Sequence, residues 1–529
     1  MSSIEKKVDR RQFLFSSVGV GMTLGLSALT SRVSVAKELP NKVFKSLPAN
    51  ITDLSASALS KAIKMRQVSC LEVMQAYLQR IDLYNPIYNA IVGIPEHDVL
   101  LSQASAADRA LDTGEYWGWM HGMPHAVKDL ANVEGMISSK GSLIFKGNVA
   151  KQDSIFVDRL RGQGAIFIGK TNVPEFGLGS QTYNSVYGTT RNAYNPTLIA
   201  GGSSGGAAVG LATAMLPVAD GSDMMGSLRN PAAYNNVIGF RPSQGRIPHR
   251  DSDLFFQQLG YEGPMGRTVE DTIRLLRTMS GYDSRVPLSL RDEVSEFQFT
   301  HPRPLHNLKI GWLGNYDGHL STESGLLELC ETALTPLVEA GVQVENCMPE
   351  YDMARLWQTW LTLRHWTVCG SAKPLYDNPD TRRLLKPEAV WEIEGGLEQT
   401  GLELSQAAVA RSDWYKALHK LFGRYDLLAL PSAQVFPFSA DIHWPKEING
   451  KAMDTYHRWM EATIGGTLSG CPVVNLPAGF DQQQRPMGIQ FIGPMGEDTK
   501  LLEFALAYEA HTDHLSTKPV LRSNPVVAR

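Results

Sequence analysis

The segment that most constrains this chain is Gly201-Gly202-Ser203-Ser204-Gly205-Gly206, followed by small residues from Ala207 to Ala214. Four glycines beside two serines let a backbone turn sharply and approach a ligand closely. The small residues that follow predict a helix, and the N–H groups at its start would favour negative charge nearby. Three readings compete for the stretch taken alone. A P-loop would need a Gly-Lys-Ser/Thr ending, which Gly206-Ala207-Ala208 lacks. Gly201-x-Ser203-x-Gly205 formally matches a nucleophile elbow, a weak signal in any Gly/Ser-rich tract. A plain flexible loop is the third.

The flanking pattern narrows the fold. Ser69-Cys70-Leu71-Glu72 is a capping box; Met74, Leu78 and Ile81 then share one helical face, and Asn85-Pro86 is expected to stop that helix. A second helix is expected over about 153–162, with Phe156 and Leu160 inward, followed by a strand at Ala165–Ile168. Further buried-strand patterns fall at Leu216–Ala219, Leu308–Leu313, Leu427–Leu430, Val473–Leu476 and Met487–Ile492. Helical patterns lie near 268–280, 323–340, 406–424 and 497–511, and a loop-like connection with three prolines lies near 284–307. Such alternation argues for an α/β protein with its sheet covered by helices.

Composition excludes several classes. A net charge of −4 does not suit a nucleic-acid binder. Cys70, Cys330, Cys347, Cys369 and Cys471 are scattered without CxxC or Cys/His ligand spacing, so no structural zinc site is expected. Their odd number rules out a fully paired disulfide framework within one chain.

The first 36 residues read as an address. Lys6, Lys7, Arg10 and Arg11 form a positive start, and Arg10-Arg11-Gln12-Phe13-Leu14 resembles the twin-arginine export motif. An uncharged stretch from Phe13 to Ser31 follows, and Ser34-Val35-Ala36 is a small-x-small cleavage site. The expectation is export through the twin-arginine machinery to the periplasm or beyond, with an uncleaved anchor as the alternative. The organisation expected is 1–36 signal, 37–51 lead-in, 52–515 one large domain, and 516–529 a tail.

Two further segments give the glycine-serine stretch a context. Upstream stands His121-Gly122-Met123-Pro124-His125-Ala126-Val127-Lys128-Asp129; downstream stands Gly221-Ser222-Asp223-Met224-Met225-Gly226-Ser227-Leu228-Arg229-Asn230-Pro231. With these three motifs in order, supported by Pro264–Val269 and Gly488-Ile489-Gln490, the chain from about 50 to 515 resembles the amidase signature family. The resemblance implies a single large α/β/α domain around a mixed β-sheet, and hydrolysis of a small-molecule or peptide amide through an acyl-serine, without metal or organic cofactor. It implies a Ser-cisSer-Lys triad: Lys128 as the lysine, Ser203 as the serine after a cis peptide, and Ser227 as the nucleophile. Asp223, Arg229 and Ser204 match supporting positions, and the backbone N–H groups of Met224, Met225, Gly226 and Ser227 match the oxyanion hole. Family members often dimerise, so a homodimer is carried over as an expectation. The family's glutaminyl-tRNA-forming member, which works in the cytoplasm, fits an exported chain poorly.

The chemistry explains the residue types. An amide is a poor electrophile and a serine hydroxyl a poor nucleophile, so a base must take the proton during attack. A lysine serves only when neutral, which requires burial away from carboxylates. A bridging hydroxyl at Ser203 would relay the proton between Ser227 and Lys128.

One departure stands out: Met225 replaces a glycine of the family's usual D-x-G-G-S. If that position needs positive φ, methionine is strained there, and its side chain would narrow the pocket. An amide-binding protein without activity, or an esterase or acyl transferase on the same fold, therefore stands as an alternative. A serine–histidine mechanism is the other rival, but His121, His125, His249, His365, His419, His443 and His457 show no spacing that marks a base. Trp357, Trp360, Trp366, Trp414 and Trp459 are expected in the core, with an aromatic substrate pocket as the alternative. Asp129 would spoil the base if it paired with Lys128, and is expected to point away and tie its own loop.

Overall fold

The computed structural model describes residues 47–249, 253–256, 259–291 and 301–523. The export signal read over residues 1–36 lies outside them. Of the 37–51 lead-in, Leu47 and Ile51 pack on the core.

The architecture follows from two sheets. A small one joins β1 (Ile91–Val92), β2 (Pro124–Lys128) and β3 (Ile166–Thr171) in the order β1-β3-β2, with β2 and β3 parallel. The large one contains β4 (Ala219–Asp223), β5 (Ile238–Arg241), β6 (Tyr261–Gly266), β7 (Lys309–Trp312), β8 (Gln343–Asn346), β9 (Leu427–Pro431), β10 (Val473–Phe480) and β11 (Pro486–Ile492). Their order is β8-β7-β9-β11-β10-β5-β6-β4. The β8, β7 and β9 pairings are parallel and the rest antiparallel, so the sheet is mixed.

Successive side chains on a strand point to opposite faces. All of β11, and β10 from Val473 to Gly479, are nevertheless buried, so both faces of the sheet are covered. Helices supply the cover, among them Leu326–Thr332 between two strands and Asp498–His511 after the last one. The domain is α/β with a large mixed sheet.

Local chemistry sets the helix ends. Helix α1 (Cys70–Tyr88) opens with the expected capping box of Ser69 and Glu72. It does not stop at Asn85-Pro86: Pro86 lies inside the last turn, and the helix ends at Asn89 in the left-handed conformation, φ 47°. The Asn85 carboxamide oxygen accepts from the N–H groups of Ala90 and Ile91 just beyond, tying down the exit. The glycine-serine helix, α2, spans Gly205–Ala212, so three glycines, Gly205, Gly206 and Gly210, lie inside it. The strand expected at Leu216–Ala219 instead begins at Ala219 and runs to Asp223. The 323–340 pattern splits into Leu326–Thr332 and Thr335–Glu339. In the connection expected near 284–307, residues 292–300 lie outside those described.

Gly206 shows why α2 needs a glycine at its second position. A Cβ there would come within 2.3 Å of the Asn172 nitrogen and 2.5 Å of the Ala90 oxygen. Both are backbone atoms of the segments ending β3 and preceding β1, so neither yields cheaply. Gly206→Ala should therefore lower the thermal midpoint by an amount equivalent to about 1–3 kcal/mol, measured by calorimetry; an unchanged midpoint would contradict this packing.

Candidate active site

Lys128 ends β2, whose register on β3 pairs it with Thr171. Its own N–H donates to Asp220 Oδ2 at 3.1 Å, anchoring it to β4. The ammonium end is buried in a cage of oxygens. Nζ lies 2.8 Å from Ser203 Oγ, 2.8 Å from Ser204 Oγ, 2.9 Å from Ser222 Oγ and 3.1 Å from the Ser222 carbonyl. Burial lowers its pKa to about 7, against the opposing pull of Asp223, Asp220 and Glu262. Asp129 turns away, as expected: it accepts from Ser139 Oγ at 2.5 Å and from the Ser139 N–H at 3.2 Å, and lies 3.8 Å from Lys170.

Ser203 follows a cis Gly202–Ser203 peptide bond. Ser204 joins the cage and is also tied to the loop carrying Ser227, its N–H donating to the Ser227 carbonyl at 3.2 Å. Ser222 stands in the downstream motif with no role expected of it, yet it supplies two of the four oxygens around Nζ. Its place in the strand one residue before Asp223 was the available signal.

Ser227 lines the same cavity as Ser203. Among the described residues, however, no hydrogen bond joins its Oγ to Ser203.

The loop carrying Ser227 is fastened by Asp223. Its carboxylate accepts from the N–H groups of Gly226 (2.8 Å) and Leu228 (3.1 Å) and from Arg229 Nε and Nη2, both at 2.9 Å. Burial alone would raise this carboxyl, but Arg229 and Arg241 hold it well below the usual range. Arg229 is itself fully buried and donates onward to the Thr463 carbonyl (2.9 Å), Gln490 Oε1 (2.8 Å) and Thr467 Oγ1 (3.0 Å). The Gly488-Ile489-Gln490 motif thus serves the loop from a distant strand. Arg241, absent from the sequence reading, also donates to the Asp223 carbonyl.

Two expectations about this loop are revised. Gly226, expected as an oxyanion donor, has its N–H engaged by Asp223. Among the described residues, the N–H groups of Met224, Met225 and Ser227 donate to no protein acceptor. Met225 is not among the residues with positive φ, whereas Gly226 is, at 78°. An added Cβ at Gly226 would meet Thr463 at 2.6 Å. The loop's essential glycine is therefore present, and the conformational objection to Met225 falls away.

The cavity holds about 550 Å³. Its apolar lining includes Phe145, Phe176, Met225 and Leu375. Trp357, Trp360, Trp414 and Trp459 are core residues, and Trp366 sits edge-on to Phe256 at 6.4 Å. Among the described residues, no histidine bonds to Ser227. His121 contacts the Ala107 carbonyl at 2.9 Å, His125 contacts Asp220 at 2.9 Å, and His249 pairs with Glu262 at 2.7 Å. Among the described residues, no group of three His, Cys, Asp or Glu is placed to hold a metal ion.

Sequence reading missed one wall of the cavity. Helix α3 (Met353–Asp377) places Arg364, Thr367, Val368, Ser371, Ala372 and Leu375 along it. Their spacing of three and four residues is the signal that could have marked the face.

Removing Arg229 would leave the Asp223 carboxylate buried and short of donors. Arg229→Met is expected to cost about 3–5 kcal/mol in denaturant unfolding; a loss below about 1 kcal/mol would show that the pair does not hold the loop.

Comparisons with known proteins show which family the chain belongs to. A family model described as Amidase matches residues 72–502. An acylamidase of Rhodococcus erythropolis is 30% identical over 475 residues, covering 89% of this chain and 98% of that protein. Among solved structures, a bacterial aryl acylamidase superposes with a TM-score of 0.82 at 28% identity, covering 88% of this chain and 99% of that one. A peptide amidase from Stenotrophomonas maltophilia superposes with a TM-score of 0.72 at 25% identity, covering 88% and 98%. The chain belongs to the amidase signature family and is an enzyme that hydrolyses C–N amide bonds.

Proposed function

We propose that hydrolysis proceeds through Ser227 as nucleophile, with Ser203 relaying its proton to a neutral Lys128. The observation that carries this reading is the buried Lys128 Nζ, ringed by hydroxyls and a carbonyl with Ser203 Oγ at 2.8 Å. A neutral amine has two N–H donors and one lone pair. Two donors satisfy oxygens of Ser222 and Ser204, and the lone pair receives the Ser203 proton as Ser203 takes that of Ser227. The unspent N–H groups of Met224, Met225 and Ser227 receive the tetrahedral oxyanion, which is where such donors act most strongly. The proton then returns through Ser203 to the leaving nitrogen, the amine departs, and water releases the acyl group from Ser227.

Asp223 and Arg229 act through the loop and touch no reacting atom. The apolar part of the lining suits an aryl or alkyl group of an acylamide, in keeping with the acylamidase relatives. We further propose that the Arg10-Arg11 segment directs export to the periplasm. Loss of the mature protein from the periplasmic fraction on Arg10→Lys with Arg11→Lys would support this, and unchanged fractionation would refute it.

The test is release of aromatic amine from aryl acylamides. Ser227→Ala and Lys128→Ala should each reduce kcat by at least ~10³-fold, whereas His457→Ala should retain far more activity than either. The base must be neutral, so protonation inactivates it. The rate should therefore rise with pH through about 7 and level off above. A rate that falls across this range, or a Lys128→Ala enzyme of near-normal activity, would refute the assignment.

A further inference from the structure

Beyond the catalytic residues, the cavity wall contains a second polar group that the proposed chemistry leaves unused. Arg364, on α3, is 4% exposed and lines the cavity. Its Nε donates to Glu392 Oε1 at 2.5 Å and its Nη2 to Tyr456 Oη at 2.6 Å. Tyr456 in turn donates to the same Glu392 oxygen at 2.6 Å. These contacts fix the guanidinium plane. Among the described residues, the one hydrogen-bond partner of its Nη1 is the Met224 thioether, at 3.4 Å. Sulfur of this kind is a weak acceptor, and an incoming oxygen would displace it. Met224 also lines the cavity and lies three residues before Ser227, so this arm of the arginine borders the nucleophile loop.

We propose that Arg364 is a specificity-determining residue whose Nη1 receives a neutral hydrogen-bond acceptor, a second carbonyl carried by the substrate. The inference rests on the amide-hydrolysing reading of the same cavity and adds the class of amide.

Electrostatics favours a neutral acceptor over an anion. Glu392 already balances the arginine: burial would raise its carboxyl, but Arg364 and the contact with His365 hold it well below the usual range. His457, in the same wall, is kept neutral by burial, which pushes its pKa down to about 3. A substrate carboxylate would be a surplus buried charge beside this balanced pair. A carbonyl asks only for a donor, and Nη1 is one. A hydrocarbon in its place would leave the arginine with the thioether alone. Lys140, elsewhere on the cavity lining, is the feature that would favour a carboxylate instead.

The experiment uses p-nitroanilides of linear acids, two to six carbons in the spacer, ending in a carboxamide, a methyl group or a carboxylate. At the best spacer length, kcat/KM should favour the carboxamide over the methyl compound by ~10–100-fold, chiefly through KM. Arg364→Met combined with Glu392→Gln removes both charges together and should bring the ratio to within ~3-fold of unity. Arg364→Lys, which keeps the charge but removes Nη1, should lose the same preference and serves where the double variant does not fold. A wild-type preference for the methyl or carboxylate series at every length would overturn the inference, as would variants that lose equal factors on carboxamide and methyl compounds. Either result leaves amide hydrolysis standing. An enzyme that cleaves no amide at all would instead refute the reading on which the inference rests.

Discussion

The site depends on one constraint: a lysine must be buried without meeting a carboxylate. An ammonium group in an apolar interior is costly, and the usual relief is an acidic partner, which would fix the charge. Here the relief comes from oxygens of Ser203, Ser204 and Ser222. Four acids stand close in the fold, and each is occupied elsewhere: Glu262 pairs with His249. Asp129 holds Ser139, Asp220 holds His125 and the backbone N–H of Lys128, and Asp223 holds Arg229. The cage satisfies hydrogen bonds while leaving burial to depress the pKa. The surrounding structure thus separates polarity, which the lysine needs, from negative charge, which would keep it protonated.

Asp223 extends this order to the rest of the domain. It gathers the N–H groups of Gly226 and Leu228, bending the loop so that other N–H groups remain unspent beside Ser227. Arg229 passes the constraint to Thr463, Thr467 and Gln490, in the C-terminal part of the sequence. Gln490 is in turn fixed by donating to the Pro431 and Ala462 carbonyls. Signature loop and distant strand are therefore one buried network, in which loss of Asp223 or Arg229 takes from the other its charged partner.

Much of this was legible in the sequence because it rests on local rules. The alternation of apolar runs announced the α/β fold, and the Ser69–Glu72 box announced α1. The Lys128, Ser203 and Ser227 motifs came through their resemblance to a family; the structure brings Lys128 against Ser203 and sets Ser203 and Ser227 in one cavity. What was illegible depends on packing across long separations. Pro86 suggested a stop, but Asn85 and Asn89 set the end of α1. Leu216–Val218 looked like a strand because buried turns are as apolar as strands. Gly226 looked like an oxyanion donor until the Asp223 carboxylate was seen to take its N–H. Met225 looked like an obstacle, yet the left-handed position belongs to Gly226. Arg364 could have been noticed only from the helical spacing of α3, because its partners Glu392 and Tyr456 lie 28 and 92 residues away.

The central claim is that Lys128 is neutral near physiological pH because its cage contains no acid. The direct measurement is the ionisation of Lys128 itself, followed by NMR of lysine labelled at Cε and Nζ in the Ser227→Ala protein, with Lys128→Met assigning the signal. The account predicts a transition near pH 7, well below the range of the other labelled lysines on the surface. A Lys128 that stays charged until about pH 10, like an ordinary lysine, would contradict it.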